Sequence, residues 1–156
     1  MIKKLVPCYD KLLHEKVQKC SYNLDRSKIS CCLHENMYHY KGIGLSANQI
    51  GISERVFVMI LDLETQETVT CFNPKILKYS KDKVVMEEGC LSYPDEYIDI
   101  ERPVSVVVKY EDEGKQIHKV KLEGLSARVF QHEYDHMNGI DFTQRSINSS
   151  KELTLK

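Results

Sequence analysis

A chain of 156 residues suits one domain around a single core, and 42% hydrophobic with 29% charged residues is ordinary globular composition. A formal net charge of −1, with basic residues scattered among acids, argues against a nucleic-acid binder. No stretch approaches the ~18 apolar residues of a membrane span, and Met1 to Cys8 lack the apolar run of a signal peptide. The six cysteines are therefore expected to be reduced thiols in a cytoplasmic protein.

In chain order, the first periodic segment is residues 25–41, where Ile29, Cys32, Leu33, Met37 and Tyr40 recur at steps of three and four. Asp25 is the candidate N-cap of this helix and Gly42 its candidate C′ residue. His34 and His39 belong to it, and they receive structural roles, as do His14 and His118, because no acid or Cys accompanies them at ligand spacing. Residues 55–61 are short, apolar and rich in β-formers, as expected of a strand buried on both faces. Residues 68–72 and 75–79 read as two short strands separated by Asn73-Pro74. Residues 104–110 and 116–122 alternate around the acidic turn 111–115, which makes a hairpin. From 125 to 138 the pattern is helical again, closed by Gly139, with an apolar body that predicts a central buried helix. The stretch from about 143 to 156 reads as a short polar tail of the single domain.

The chemistry concentrates on that last helix. His132 and His136 are four apart and project from one face, and Glu133 lies between them. Two imidazoles so placed can hold one divalent metal while the carboxylate serves as general base on a water. The third ligand does not lie downstream. A metzincin's third His would fall at 142, which is Phe142, and the one Glu beyond the motif that a thermolysin-like site could use is Glu152 in the polar tail.

Upstream, Cys90 in Glu88-Gly89-Cys90-Leu91-Ser92 is the best candidate, because a thiolate with two imidazoles suits Zn²⁺, Fe²⁺, Co²⁺ or Ni²⁺ and leaves one position open. Cys8, Cys20, Cys31, Cys32 and Cys71 are read as small buried hydrophobes. A further block, Gly42-Ile43-Gly44-Leu45-Ser46-Ala47-Asn48-Gln49, follows a helical pattern, so it is neither a dinucleotide fingerprint nor a P-loop. Its small residues suit close approach to a peptide-like ligand, and Gln49 could donate to an oxygen.

These three blocks, in this order, resemble the three signature motifs of the peptide deformylase family, over a span from about Leu5 to Phe142. Ser46 stands in place of the more usual Ala, and Met137 in place of the common Leu. The resemblance implies an α+β domain, with mixed, mainly antiparallel sheets around a central helix carrying the His pair. It implies removal of the N-formyl group from nascent polypeptides that begin with formyl-methionine, with transient access to the ribosome, no direct nucleic-acid contact and no membrane.

Cys90, His132 and His136 would hold one divalent ion, Fe²⁺ by family habit. Glu133 would move protons, and Gln49 with the Leu91 N–H would stabilise the oxyanion. Ile43, Met86, Glu88, Leu125, Arg128 and Val129 would surround the substrate, and Gly44 would offer it backbone hydrogen bonds. Arg128 departs from the apolar residue expected there. Either its stem lines the pocket while the guanidinium reaches solvent, or the guanidinium grasps the substrate. The rival readings are a zinc peptidase with an unrecognised ligand and a binding module in which the metal only staples the fold.

Overall fold

Val56 to Ile60 are five consecutive buried residues, and the period-two geometry of a strand sends them alternately to opposite sides. Phe57 and Met59 enter one apolar cluster with Ala127, Val129, Phe130 and Met137. Val56, Val58 and Ile60 enter another with Ile29, Leu33 and Met37. A sheet with a helix on each face follows directly, and the computed structural model, which describes residues 1–147, has that arrangement.

The elements are α1 (Arg26–His39), β1 (Gly44–Ser46), β2 (Val56–Asp62), β3 (Glu67–Tyr79), β4 (Lys83–Cys90), β5 (Tyr93–Pro103), β6 (Ser105–Glu111), β7 (Ile117–Glu123) and α2 (Gly124–Met137). Short 3-10 turns occupy Lys11–Leu13, Ala47–Ile50 and Phe142–Arg145. Strands β1-β2-β3-β6-β7 form one sheet and β4-β5 a separate two-stranded one. Every strand pair among the described residues is antiparallel, as expected where strands join through turns rather than crossover helices. α1 covers one face of the five-stranded sheet. α2 lies between its other face and the β4-β5 hairpin, which makes it the central helix of an α+β domain.

Asp25 caps α1, its side chain accepting from Lys28 N–H at 3.1 Å. The helix ends one residue earlier than the glycine suggested. Lys41 takes the left-handed conformation at φ 58°, and Gly42 N–H closes onto Met37 O at 3.0 Å, so Gly42 is the residue after the turn rather than the turn itself. The two strands expected on either side of Asn73-Pro74 are one strand with a bulge. Its first half pairs with β2 and its second with β6, and the register shifts between Phe72 and Lys75. Asn73, at φ 49°, tolerates the left-handed kink, and the bulge accommodates a proline that has no N–H to give.

The apolar alternation of β4 and β5 is short, because Glu88 and Arg102, both buried, interrupt it on the face that also carries Met86, Ile98 and Ile100. The expected polar tail also begins later than about 143. Asp141 caps the turn Phe142–Arg145, and Ser146 bridges to Ile100; the rest of that tail, from 148, lies outside the described residues. Of the cysteines expected to be buried, only Cys71 is; Cys8, Cys20 and Cys32 are half-buried, and Cys31 is exposed on the outer side of α1. All six are free thiols.

α2 ends in a six-residue closure, with Gly139 N–H on His136 O at 3.2 Å and Ile140 N–H on Asp135 O at 2.9 Å. Gly139 has φ +70°, and a Cβ there would come within 2.7 Å of the Glu15 backbone. Gly124, at φ +60°, has nothing within 4 Å of such a Cβ. Gly124→Ala should therefore cost only the left-handed penalty of about 1–2 kcal/mol. Gly139→Ala adds overpacking of about 1–3 kcal/mol to that penalty. Urea unfolding midpoints of the two variants test the difference, and equal losses would contradict the steric account.

Candidate active site

Because α2 is enclosed on both sides, ten of its residues are buried, including His132, Glu133 and His136. The ring positions are fixed by helix spacing, and their centroids lie 5.2 Å apart. Cys90 reaches them from the last position of β4, where the β4-β5 register slips between Gly89 and Cys90 and turns the strand end toward α2. One donor atom from each of Cys90, His132 and His136 lies within 4.8 Å of the other two. Cys90 Sγ sits 3.5 Å from His136 Nε2.

Glu88 organises the centre from behind. Its Oε1 faces His132 Nδ1 at 2.9 Å, which leaves Nε2 as the free ligand nitrogen. The same carboxylate accepts from Arg102 Nε at 2.6 Å and Nη2 at 3.1 Å, and from Arg128 Nη1 at 2.7 Å. Arg102 Nη1 continues to Asp135 Oδ2 at 2.9 Å, and Arg145 closes on the same carboxylate. Burial alone would raise the Glu88 pKa, but hydrogen bonds from His132 and Arg102 outweigh it and hold the carboxyl far below the usual range.

Burial likewise opposes a charge on His132, yet hydrogen bonds with Cys90 and Glu88 raise its pKa to about 10. Burial and the neighbouring His132 charge drive His136 well below the imidazole range. A divalent ion competes with the His132 proton, so metal uptake should weaken as pH falls. The donor set fits such an ion: one thiol, two imidazoles, and a carboxylate holding one ring from behind. Among the described residues, the buried side-chain N and O atoms without a partner are Glu133 Oε2 and His136 Nδ1, both at this centre.

In front of the centre lies a cleft of about 490 Å³. Ile43, Gly44, Gln49, Met86, Glu88, Leu91, Leu125, Arg128, Val129, His132 and Glu133 all line it together with Cys90, while His136 lies behind. Gly44 is a necessary glycine, since a Cβ there would come within 2.8 Å of Glu133 Oε1 and 3.0 Å of Val129. Gln49 is held by its oxygen. Oε1 accepts from Ser46 N–H at 3.0 Å and lies 3.0 Å from Ser46 Oγ. The amide nitrogen is thereby turned to Ser92 Oγ at 3.0 Å and Cys90 Sγ at 3.6 Å. Asn48 ties the same loop to α2 by donating to His136 O at 2.9 Å. Leu91 follows Cys90 into the turn and is half-buried.

Two of the expected substrate contacts, Glu88 and Arg128, line the cleft and are also bonded to each other behind it. The Glu88 carboxylate is fully engaged by Arg102, Arg128 and His132. Arg128 does not extend to the outer surface: the residue is 5% exposed, and its guanidinium also donates to Ile100 O at 2.9 Å and Val84 O at 2.8 Å. The reason is the neighbouring buried carboxylate, whose field outweighs the hydration a surface position would offer. Arg102, Asp135 and Ser92 were not recognised as parts of the site. For Arg102 the available signal was a strand whose inward positions carry charge; Asp135 sat unassigned inside the motif itself.

A thiol and two imidazoles around one point, a partnerless carboxylate beside them and an open cleft in front have the donor set and access that a metal-dependent hydrolase needs. The sequence model of the family described as polypeptide deformylase matches residues 2–152. The peptide deformylase of Thermotoga sp. strain RQ2 is 45% identical over 122 residues, covering 78% of this chain and 72% of that one. The crystal structure of the Thermotoga maritima peptide deformylase superposes with a TM-score of 0.87 at 37% identity, covering 94% of this chain and 98% of that one. A Met-Ala-Ser-bound class I type b peptide deformylase from Acinetobacter baumannii gives 0.86 at 30% identity, covering 93% and 98%. The chain belongs to the peptide deformylase family, metal-dependent enzymes that remove the N-formyl group from nascent polypeptides.

The Glu88 geometry carries a direct consequence. Glu88→Gln keeps the shape but removes the charge that orients His132, and loss of such an outer partner typically weakens metal binding ~10–100-fold. Competition against a chromogenic chelator measures this, and unchanged affinity would remove Glu88 from the orienting role.

Proposed function

We propose that Cys90, His132 and His136 hold one divalent ion and that Glu133 carries the proton in deformylation of formyl-methionyl peptides. The observation that supports this most is the convergence of three donor atoms and the partnerless Glu133 carboxylate oxygen in one cleft. A closed structural staple would add a fourth protein ligand; among the described residues the group is these three.

When bound, the ion supplies Lewis acidity toward the formyl oxygen and makes water a better nucleophile at neutral pH. Glu133 takes a proton from the water that attacks the formyl carbon. As the C–N bond breaks, it returns that proton to the leaving amine nitrogen, and formate departs. Gln49 Nε2 and the Leu91 N–H donate to the oxygen on which negative charge develops. Ile43, Met86, Leu125, Arg128 and Val129 surround the methionine side chain, and Gly44 presents backbone to the peptide.

Fe²⁺ is the ion we assign in the cell, and Zn²⁺, Ni²⁺ or Co²⁺ suit the same N₂S donors. No helix among the described residues is long and apolar enough to cross a membrane. We place the protein in the cytoplasm, meeting nascent chains transiently at the ribosome without binding nucleic acid.

Metal-loaded protein should release formate from formyl-Met-Ala-Ser and leave its internal peptide bonds intact. Internal cleavage without formate would identify a peptidase instead. Glu133→Gln should retain metal and lose ~10²–10⁴ in rate; loss of metal along with rate would make Glu133 a ligand.

Burial raises the Glu133 pKa to about 7, with the His132 charge opposing. A base must be ionised, so kcat/KM should fall as pH drops. The limb should lie at or below about pH 7, because a nearby cation favours the ionised form. A profile flat from pH 4 to 8 would exclude this role. Gln49→Ala should lose ~10²–10³, mainly in kcat; an effect confined to KM would assign Gln49 to ground-state binding.

A further inference from the structure

Arg128 is the one polar group where the reading above places the methionine pocket; Ile43, Met86, Leu125 and Val129 beside it in the cleft are apolar. A guanidinium carries five N–H donors in a rigid fork. Three are engaged. Both on Nη1 go to Glu88 Oε2 and Ile100 O, and one on Nη2 goes to Val84 O, at 2.7 to 2.9 Å. The other two, on Nε and Nη2, have no partner among the described residues. These bonds run to β4, to β5 and to the Glu88 carboxylate, so the group is fixed in place before any substrate arrives.

A purely apolar pocket rejects a polar side chain because a buried acceptor without a donor costs several kcal/mol in transfer to an apolar medium. A pinned guanidinium with unused donors removes that cost and adds a charge-assisted bond without having to be ordered on binding. The thioether sulfur of methionine is a weak acceptor, whereas the oxygen of its sulfoxide is a strong one.

We propose that Arg128 turns the first-residue pocket into a hydrogen-bond donor, so that this chain deformylates peptides beginning with formyl-methionine sulfoxide as well as formyl-methionine. An isosteric hydrocarbon, norleucine, gains nothing from the same donors. The inference rests on the deformylase reading of the cleft and adds to it a substrate class defined by an acceptor atom at the end of the side chain.

The test compares kcat/KM of metal-loaded protein for Ala-Ser peptides carrying formyl-methionine, formyl-methionine sulfoxide or formyl-norleucine. In the wild type the sulfoxide should be used at least as well as norleucine. In Arg128→Leu the sulfoxide-to-norleucine ratio should fall about 10-fold or more, with Arg128→Lys between the two. Any change transmitted through Glu88 to His132, or any inactive fraction of a variant, scales all three peptides together and leaves the ratio unmoved. A wild-type sulfoxide rate 100-fold below norleucine overturns the proposal, as does a ratio unchanged within about twofold in Arg128→Leu. Should Arg128→Leu fail to fold, the wild-type and Arg128→Lys ratios decide alone. Failure of the wild type to release formate from any of the three would instead refute the deformylase reading.

Discussion

The Glu88 carboxylate is the point on which the rest of the structure depends. It is 6% exposed, and it accepts hydrogen bonds from two arginines while facing the ring of a candidate metal ligand. Taking a charge out of water costs several kcal/mol per ion, repaid only where geometry is good and every lone pair is met. Here Glu88 and Asp135 carry two negative charges against the two positive charges of Arg102 and Arg128, all four residues buried. Removing one member of such a set leaves an uncompensated buried charge, which is why breaking buried pairs is far more damaging than replacing them whole. The network joins β4, β5 and α2, so the same bonds that neutralise the interior also fix where Cys90 stands relative to the two histidines.

That constraint explains an otherwise odd architecture. The β4-β5 hairpin belongs to neither face of the main sheet, and its outward side is largely exposed. A two-stranded ribbon is marginal by itself in water, so its position is set by what holds its inner face. That inner face carries Glu88, Ile100 and Arg102, of which only Ile100 is apolar and fully buried. The Tyr93 hydroxyl donates to Asp141, fastening the start of β5 to the segment that follows α2. Hydrophobic burial builds the sheet and its two helices, while directional polar contacts place the one strand end that carries the thiol.

Around the centre, small residues and fixed amides serve one requirement, which is to bring polar groups together in set orientations. Gly44 admits the Glu133 carboxylate where any side chain would displace it. Ser46 takes the oxygen of Gln49 and so turns its nitrogen toward Cys90. Buried polar atoms are nearly always satisfied, and both exceptions among the described residues fall on the His-Glu-x-x-His motif. Unmet hydrogen-bonding capacity thus collects where a metal and a substrate would meet it.

Much of this was legible in the chain itself. Helical spacing put His132, Glu133 and His136 on one helix; the apolar run at 55–61 predicted a strand buried on both faces; and Gly139 marked the end of α2, because these are local consequences of period, propensity and cap chemistry. The family resemblance rested on three short blocks whose order survives without any knowledge of contacts.

What lay beyond the sequence was everything decided between distant segments. Cys90 and His132 are 42 positions apart, and only the packing of β4-β5 on α2 makes them neighbours. The hairpin itself was hidden, because the buried charges of Glu88 and Arg102 interrupt the alternation that reveals a strand. Arg128 read as a surface-reaching side chain for the same reason: sequence reports a residue's own preference, whereas its environment is the field of Glu88, forty positions upstream. Local physics wrote the elements and the ligand types; the long-range compensation of buried charge, which no window of sequence contains, set their geometry.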